Sequence, residues 1–395
     1  MLRDLPKNVW ILTLIQPFYM SSAPLVILIG GLLGAQLAPQ PAWATLPIAV
    51  MIIGTALSTV PAALLMQRFG RKRGMAVGLC IGILGAWVGT LAAMYGTFSL
   101  LLLGSAILGS ATAFAQQIRF IALESIHQDS QMANVVMLLT VSSLAAAFLG
   151  PEIAVAGQHW LPSTNGFAGS YLMLSGFFVI ALIGLWFFVD HPVTQQETRA
   201  PKRPLSEIFR QPIFLIALAA ATVGYGTMSF VMTGTPVSMH DLSHLSLVDT
   251  KWVIQSHIVA MFLPGLITGK LIMKWGHSHV ILAGIAILLL AIGIGLYDQQ
   301  LMHYWFSLVL IGVGWNFLFF GGTTLLKNSY RDSERYKAQA LNDFVIFTVQ
   351  AFVALSAGVV VYQYGWNTLL LLPIPVLVVL ALAAWMYQRH LSQGQ

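Results

Sequence analysis

Apolar residues run in stretches of about 20 along nearly the whole chain, parted by short polar segments, and a run of that length crosses about 30 Å of hydrocarbon as an α-helix. Twelve such runs are predicted, at 9–34, 43–66, 74–95, 98–122, 133–157, 168–189, 212–237, 250–273, 279–298, 302–326, 338–361 and 366–388. Glycine and proline recur inside them. This is expected where small residues let membrane helices approach closely and neighbours re-satisfy freed backbone groups. The pattern predicts an all-α integral membrane protein with twelve transmembrane helices.

Composition agrees. Of 395 residues 57% are hydrophobic and 8% charged, against roughly 25% charged in a soluble domain, so a water-soluble fold is excluded. With the N-terminus inside, the inside segments collect Arg3, Lys7, Arg68, Arg71, Lys72, Arg73, Arg199, Lys202, Arg203, Arg210, Lys274, Lys327, Arg331, Arg335, Lys337 and Arg389. The outside segments hold only Lys251. The positive-inside rule then places both termini in the cytoplasm. The net charge of +6 reflects this topology, and nucleic acid is not an expected partner. The first run is long enough to span and lacks an A-x-A-like exit, so it is expected to stay as the first helix. Cys80 is the single cysteine, which rules out an intrachain disulfide and leaves no thiolate cluster.

A polar stretch from Asp190 to Arg210 separates six runs from six. It predicts an N-terminal six-helix bundle over 1–189, a cytoplasmic linker over 190–211 and a C-terminal six-helix bundle over 212–395. The halves carry a faint repeat: Leu65-Met-Gln-Arg-Phe-Gly-Arg-Lys-Arg73 follows the second run and Leu271-Ile-Met-Lys-Trp-Gly-His-Ser-His279 the eighth. Arg68, Phe69 and Gly70 align with Lys274, Trp275 and Gly276, which indicates duplication into pseudo-symmetric halves.

Two motifs stand out chemically, Met228-x-x-x-Met232 and His257-x-x-x-Met261. Each pairs two side chains at i,i+4 on one helix face. Thioether and imidazole suit Cu(I). Counting about 1.5 Å per residue from the outer boundary puts Met232 and His257 about 8–10 Å deep and Met228 and Met261 about 14–16 Å deep. The expectation is a two-rung metal ladder. Met is also a common gap-filler in apolar cores, whereas a histidine inside a span needs a partner or a function. Above the ladder, Met239, His240 and His244 are candidates for collecting the ion at the outer mouth, and Met20 and Met137 for completing its coordination. His277 and His279 read as stand-ins for basic loop residues.

Other polar groups interrupt the spans. Gln116, Gln117, Arg119 and Glu124 gather near the end of the fourth run, Glu152 follows Gly150-Pro151, and Asn342-Asp343 opens the eleventh. Ionisable groups inside a bilayer are functional candidates by default. Glu152 and Asp343 are candidate proton carriers and Arg119 a candidate gate. No G-x-x-x-x-G-K-[ST] loop and no nucleophile–base set is present, so an enzyme is not expected and ATP does not drive the protein directly.

The segment Arg68-Phe-Gly70-Arg71-Lys72-Arg73 resembles the signature loop of the major facilitator superfamily, with Gln67 where that family usually has Asp and Ala63 where it has its first Gly. The resemblance implies two six-helix bundles, alternating access and residence in the bacterial inner membrane. The Met228/Met232 and His257/Met261 motifs look like those of the CcoA-like copper importers of this superfamily. That narrower likeness implies copper import, with copper as transported substrate, no permanently bound cofactor, a cytoplasmic copper chaperone as partner and a monomer. The same subfamily includes riboflavin importers, which generally lack the paired motifs, so the motifs favour copper and uptake of a flat organic nutrient among Phe18, Tyr19, Trp315 and Phe317 is the alternative. Proton-coupled export of a drug or metabolite is a further one.

Overall fold

The computed structural model describes residues 5–126, 131–190, 204–331 and 334–393, and all regular structure among them is helical. Ten helical stretches are long and apolar enough to cross a membrane, or eleven if the pair Leu247–Phe262 and Gly265–Trp275, bent by 40°, is one span. One of the ten, Leu341–Arg389, is 49 residues long. Gly365, at φ 80° and ψ 174°, divides it where the sequence separates its last two runs. With that division the helices match the twelve predicted runs, and the protein is a multi-pass membrane protein.

The helices are numbered α1 (Lys7–Leu37), α2 (Leu46–Phe69), α3 (Arg71–Tyr95), α4 (Phe98–Glu124), α5 (Met132–Ala156) and α6 (Ala168–Leu185). They continue with α7 (Pro212–Leu242), α8 (Leu247–Phe262, then Gly265–Trp275), α9 (His277–Tyr297), α10 (Leu301–Leu326), α11 (Arg335–Leu371) and α12 (Ile374–Gln393). Two compact units result. One holds the described residues up to 190 together with His240–Gln255, and the other holds those from 204 to 239 and from 256 onward.

In the first unit α1 packs against α5 and α6, and α4 against α2 and α3. In the second, α7 packs against α11 and α10 against α9. The pairings α1–α5 and α3–α4 thus recur as α7–α11 and α9–α10, as duplication requires. Contact is closest where side chains are smallest. At Gly109 the α4 backbone meets the Met51 carbonyl where a Cβ would stand, and Thr55 donates through Oγ1 to the Gly109 carbonyl at 2.9 Å.

Irregular turns are internally compensated. Pro17 lies inside the first stretch of α1, Lys7–Met20, and Ser21 just beyond it donates through Oγ to the Pro17 carbonyl at 2.6 Å; a π-turn follows at Val26–Gly30. The sequence suggests a break at Gly150-Pro151, but α5 runs through it without interruption. Gly150 leaves room there for the Ser21 carbonyl of α1, 2.6 Å from where a Cβ would lie. Packing on α1 holds the helix together across the proline.

Candidate functional site

In the second unit the site is organised by α10. Leu308, Gly312, Trp315 and Phe319 recur at helical spacing on one face of it. Gly312 lets α8 approach until its would-be Cβ lies 2.6 Å from the His257 carbonyl and 3.0 Å from the Met261 amide. That approach joins the two helices by side chains. His257 donates through Nδ1 to the Leu308 carbonyl at 2.6 Å, and Asn316 donates through Nδ2 to the Met261 carbonyl at 2.6 Å. Thr268 completes the amide by donating to Asn316 Oδ1 at 2.6 Å. These bonds flank the α8 bend, where Pro264 supplies no N–H and nearby carbonyls lose helical partners.

One turn beyond Gly312 lies a cluster of rings. Trp315 stacks on Phe319 with centroids 5.0 Å apart and planes 10° apart. Tyr225 of α7 meets Trp315 and Phe319 edge-on, each at 5.1 Å, and Phe262 of α8 lies 6.0 Å from Trp315. Trp315 therefore has ring neighbours on α7, α8 and its own helix. Edge and face contacts of this kind fix ring orientation and contribute about 0.5–1.5 kcal/mol each beyond burial.

Two polar atoms of this region are buried with no hydrogen-bond partner among the described residues, His257 Nε2 and Trp315 Nε1. Leaving such a group unsatisfied costs about 1–3 kcal/mol, and native structures hold few of them. One is an acceptor and the other a donor, because the Nδ1 bond assigns the proton of His257 to Nδ1.

Met228, Met232, His257 and Met261 are all buried in the second unit. The carbonyls of His257 and Met261 face α10, whereas every residue of α7 from Gly226 to Pro236, Met228 and Met232 included, is buried. Among the described residues no group of three or more histidines, cysteines and carboxylates is arranged to hold a metal, so thioethers would have to supply most ligands. Met239 is fully buried in the π-turn ending α7. His240 bonds through Nδ1 to the Leu245 carbonyl at 3.0 Å, and His244 is exposed with left-handed backbone at φ 53°. His240 is thus engaged within its own loop. Met20 receives a contact from Gln16 Nε2 at 3.5 Å, while Met137 is exposed.

Among the other polar residues, Glu152 accepts through Oε1 from Lys251 Nζ at 2.8 Å and from Gln255 Nε2 at 3.2 Å. Lys251, the lone lysine of the predicted outer segments, is thus buried as a partner of Glu152. Arg119 is exposed with its guanidinium over the Phe120 ring at 4.6 Å. Asp343 is half-buried and accepts from Asn342 Nδ2 at 3.1 Å; both lie inside α11, which starts earlier than expected, at Arg335.

Aromatic residues also sort differently from expectation. Phe317 places its Cβ against Gly284 of α9, away from the ring cluster, and Phe319 takes its place. Spacing offers the signal, since 319 is one helical turn from 315 and 317 is not. Tyr19 is buried with its hydroxyl 3.5 Å from the Met75 carbonyl, and Phe18 packs edge-on against Phe177. The sequence reading missed Gln16, whose Nε2 donates to Ser143 Oγ at 2.8 Å while its Oε1 is buried without a partner among the described residues. A lone amide within an apolar run was the available clue.

The signature loop is held by two carboxylates. Asp190 accepts from the backbone N–H groups of Arg71 and Lys72 at 3.1 and 3.3 Å, capping the N-terminus of α3. Arg71 makes a two-point pair with Glu124, 3.0 Å from Nε and 2.6 Å from Nη2. Lys72 donates through Nζ to the Trp186 carbonyl at 2.7 Å. Arg68 lies over the Phe69 ring at 5.4 Å, and Arg73 is exposed.

The sequence matches the profile of the Major Facilitator Superfamily over residues 9–251 and 229–393. It is 34% identical over 385 residues to the riboflavin transporter RfnT of Brucella anthropi, covering 95% of each chain. It is 29% identical over 389 residues to the uncharacterized MFS-type transporter YddS of Bacillus subtilis, covering 92% of this chain and 87% of that one. Among solved structures a point mutant of the nucleoside transporter NupG superposes with a TM-score of 0.76 at 14% identity, over 96% of this chain and 98% of that one. The last likeness concerns the fold alone.

Proposed function

The chain belongs to the Major Facilitator Superfamily, and from that premise we propose that it imports a flat heteroaromatic nutrient of the riboflavin class by alternating access. The observation that carries this reading is the ring cluster about Trp315, enclosed by α7, α8 and α10 and bordered by an orphan donor and an orphan acceptor. Sites for small organic molecules are largely aromatic, with a few polar atoms that fix orientation. The likeness to RfnT along nearly the whole of both chains supports the same reading. On this reading the protein sits in a bacterial inner membrane, and the distribution of Lys and Arg supports cytoplasmic termini.

In this mechanism rocking of the bundles uncovers the buried cluster of Trp315, Phe319, Tyr225 and Phe262, and the planar ring system packs against it. A neutral substrate gains nothing from the membrane potential, so accumulation depends on a co-transported ion or on consumption inside the cell. Uptake of labelled riboflavin by a riboflavin-requiring bacterium expressing the chain tests the proposal. Saturable uptake that unlabelled flavin competes, and that Trp315→Ala lowers at matched membrane levels, is expected; uptake no greater than in vector-bearing cells defeats it.

A second reading, copper import, is favoured by one feature. His257 holds its proton on Nδ1 against a backbone carbonyl and keeps Nε2 free, the arrangement of a metal-ligating histidine. Met228, Met232 and Met261 would supply thioethers to Cu(I). Intracellular copper measured in the same cells decides. A rise with the wild-type chain and none with Met228, Met232, His257 and Met261 replaced by Ala, in the absence of flavin uptake, would put copper first.

A further inference from the structure

The two helices joined by the signature loop leave a groove between them on the surface of the first unit. Its walls are Ser58, Pro61 and Leu65 of α2 and Val77, Ile81 and Leu84 of α3, and its volume is about 410 Å³. Phe114 of α4 lies on its floor. At the deep end Ser58 donates through Oγ to Ser110 Oγ of α4 at 2.9 Å, so the polar atoms there are already paired. Pro61, Val77 and Leu84 are exposed, and so are Leu57 and Leu64 beside them on α2. Exposed apolar side chains within a membrane span face lipid tails, which are as apolar as leucine. The groove therefore opens to the bilayer.

Each wall of the groove runs into an arginine. On α2 the positions 58, 61 and 65 continue at helical spacing to 68, and on α3 the positions 84, 81 and 77 continue to 73. Arg68 and Arg73 thus stand on the groove-lining faces, one turn beyond Leu65 and Val77, and both are exposed. The other two basic residues of the loop are engaged, Arg71 with Glu124 and Lys72 with the Trp186 carbonyl. Neither Arg68 nor Arg73 pairs with a carboxylate among the described residues. From the arginines to the deep end is about 15–17 Å along either helix. That is about half of the roughly 30 Å of hydrocarbon, the depth of one leaflet.

We infer that the groove is a binding site for one anionic phospholipid, with an acyl chain lying between α2 and α3 and the phosphate held by Arg68 and Arg73. Basic residues between membrane helices on the side of the basic loops attract anionic head groups, and a guanidinium matches a phosphate through two parallel N–H···O bonds. The groove supplies what charge alone lacks. It gives the chain of the selected lipid a fixed bed as long as one leaflet is deep, so the lipid is retained at one place instead of exchanging along a basic surface. Bound there, it would tie α2 to α3 beside the Gly70 turn. The inference is independent of which molecule is transported.

The experiment is titration of the full chain, purified in neutral detergent and stripped of lipid, with dioleoylphosphatidylglycerol or dioleoylphosphatidylcholine, the bound lipid being counted by native mass spectrometry. The wild type is expected to take up one phosphatidylglycerol about tenfold or more tightly than phosphatidylcholine, since two basic residues each favour the anionic head group severalfold. With Arg68 and Arg73 both replaced by Ala, the two lipids should differ by less than about threefold. Ile81→Trp, which fills the groove and leaves the arginines in place, should weaken phosphatidylglycerol binding severalfold. Should that variant fail to insert, Pro61→Phe at the exposed lip must do the same. Equal binding of the two lipids by the wild type overturns the inference with no variant required. Undiminished phosphatidylglycerol binding by the groove-filled chain overturns it too, by showing attraction to a basic surface alone. So does displacement of the lipid by an equal concentration of soluble glycerol phosphate, which would mark an anion site that uses no chain.

Discussion

The two loops that follow α2 and α8 share a backbone and differ in nearly everything attached to it. Gly70 adopts φ 91° and ψ 159°, and Gly276 adopts φ 81° and ψ 162°. Each closes the preceding helix through its amide, Gly70 to the Met66 carbonyl at 3.1 Å and Gly276 to the Ile272 carbonyl at 2.8 Å. Around Gly70 stand Asp190, capping α3, and the Arg71–Glu124 pair. Around Gly276 there is no such frame among the described residues. His279 bonds through Nδ1 to the Trp275 carbonyl at 2.6 Å and accepts at Nε2 from Gln388 at 2.7 Å. Duplication has preserved the turn, which depends on glycine at a conformation that side chains rarely tolerate. The charges around it have diverged, because a polar partner can be exchanged without altering the backbone path.

The sharpest way to break this comparison is alanine at each glycine. Gly70→Ala is expected to cost the most, on the order of 2–4 kcal/mol, since it strains the backbone and its Cβ displaces the Asp190 cap. Gly276→Ala meets nothing within 4 Å of its Cβ and should cost only the strain, about 1–3 kcal/mol. Thermal unfolding of both variants in detergent measures the difference, and equal losses would mean that the Asp190 frame adds nothing. Next in size is the Arg71–Glu124 pair, with side chains 16% and 40% exposed. A double-mutant cycle to Ala should give a coupling of about 0.5–1 kcal/mol that shrinks with added salt; a salt-independent value would point to packing instead. Smallest of all, His279→Ala should change stability by about 0.5 kcal/mol or less. A larger loss would show the second loop to be as firmly held as the first.

Legibility in the sequence followed the range of the interactions involved. Helices were readable because their length and apolarity are local properties. The repeat was readable because Gly70 and Gly276 sit in matching strings. Boundaries slipped where side chains outside the run extend a helix, as in α11, which begins at Arg335. The four Met and His residues singled out as metal ligands lie buried in the bundle, and the ring packed on Trp315 is Phe319, with Phe317 set against α9. Both are phenylalanines in one apolar run. Helical spacing puts Phe319 on the face of Trp315, and the helices on each side of α10 decide what that face meets.

By itself the amino-acid sequence determined the membrane class, the run of helices and the duplication. Hydrocarbon thickness and the need to satisfy every backbone group within a segment act on each stretch independently. What only the tertiary structure decided is the partner of each polar atom. Asn316 bonds the Met261 carbonyl, Asp190 caps α3, Lys251 pairs with Glu152, and the Leu308 carbonyl takes one nitrogen of His257. Each of these joins residues far apart in the chain. Their meeting depends on which small residues allow which helices to touch, a property of the packed bundle that no single segment contains.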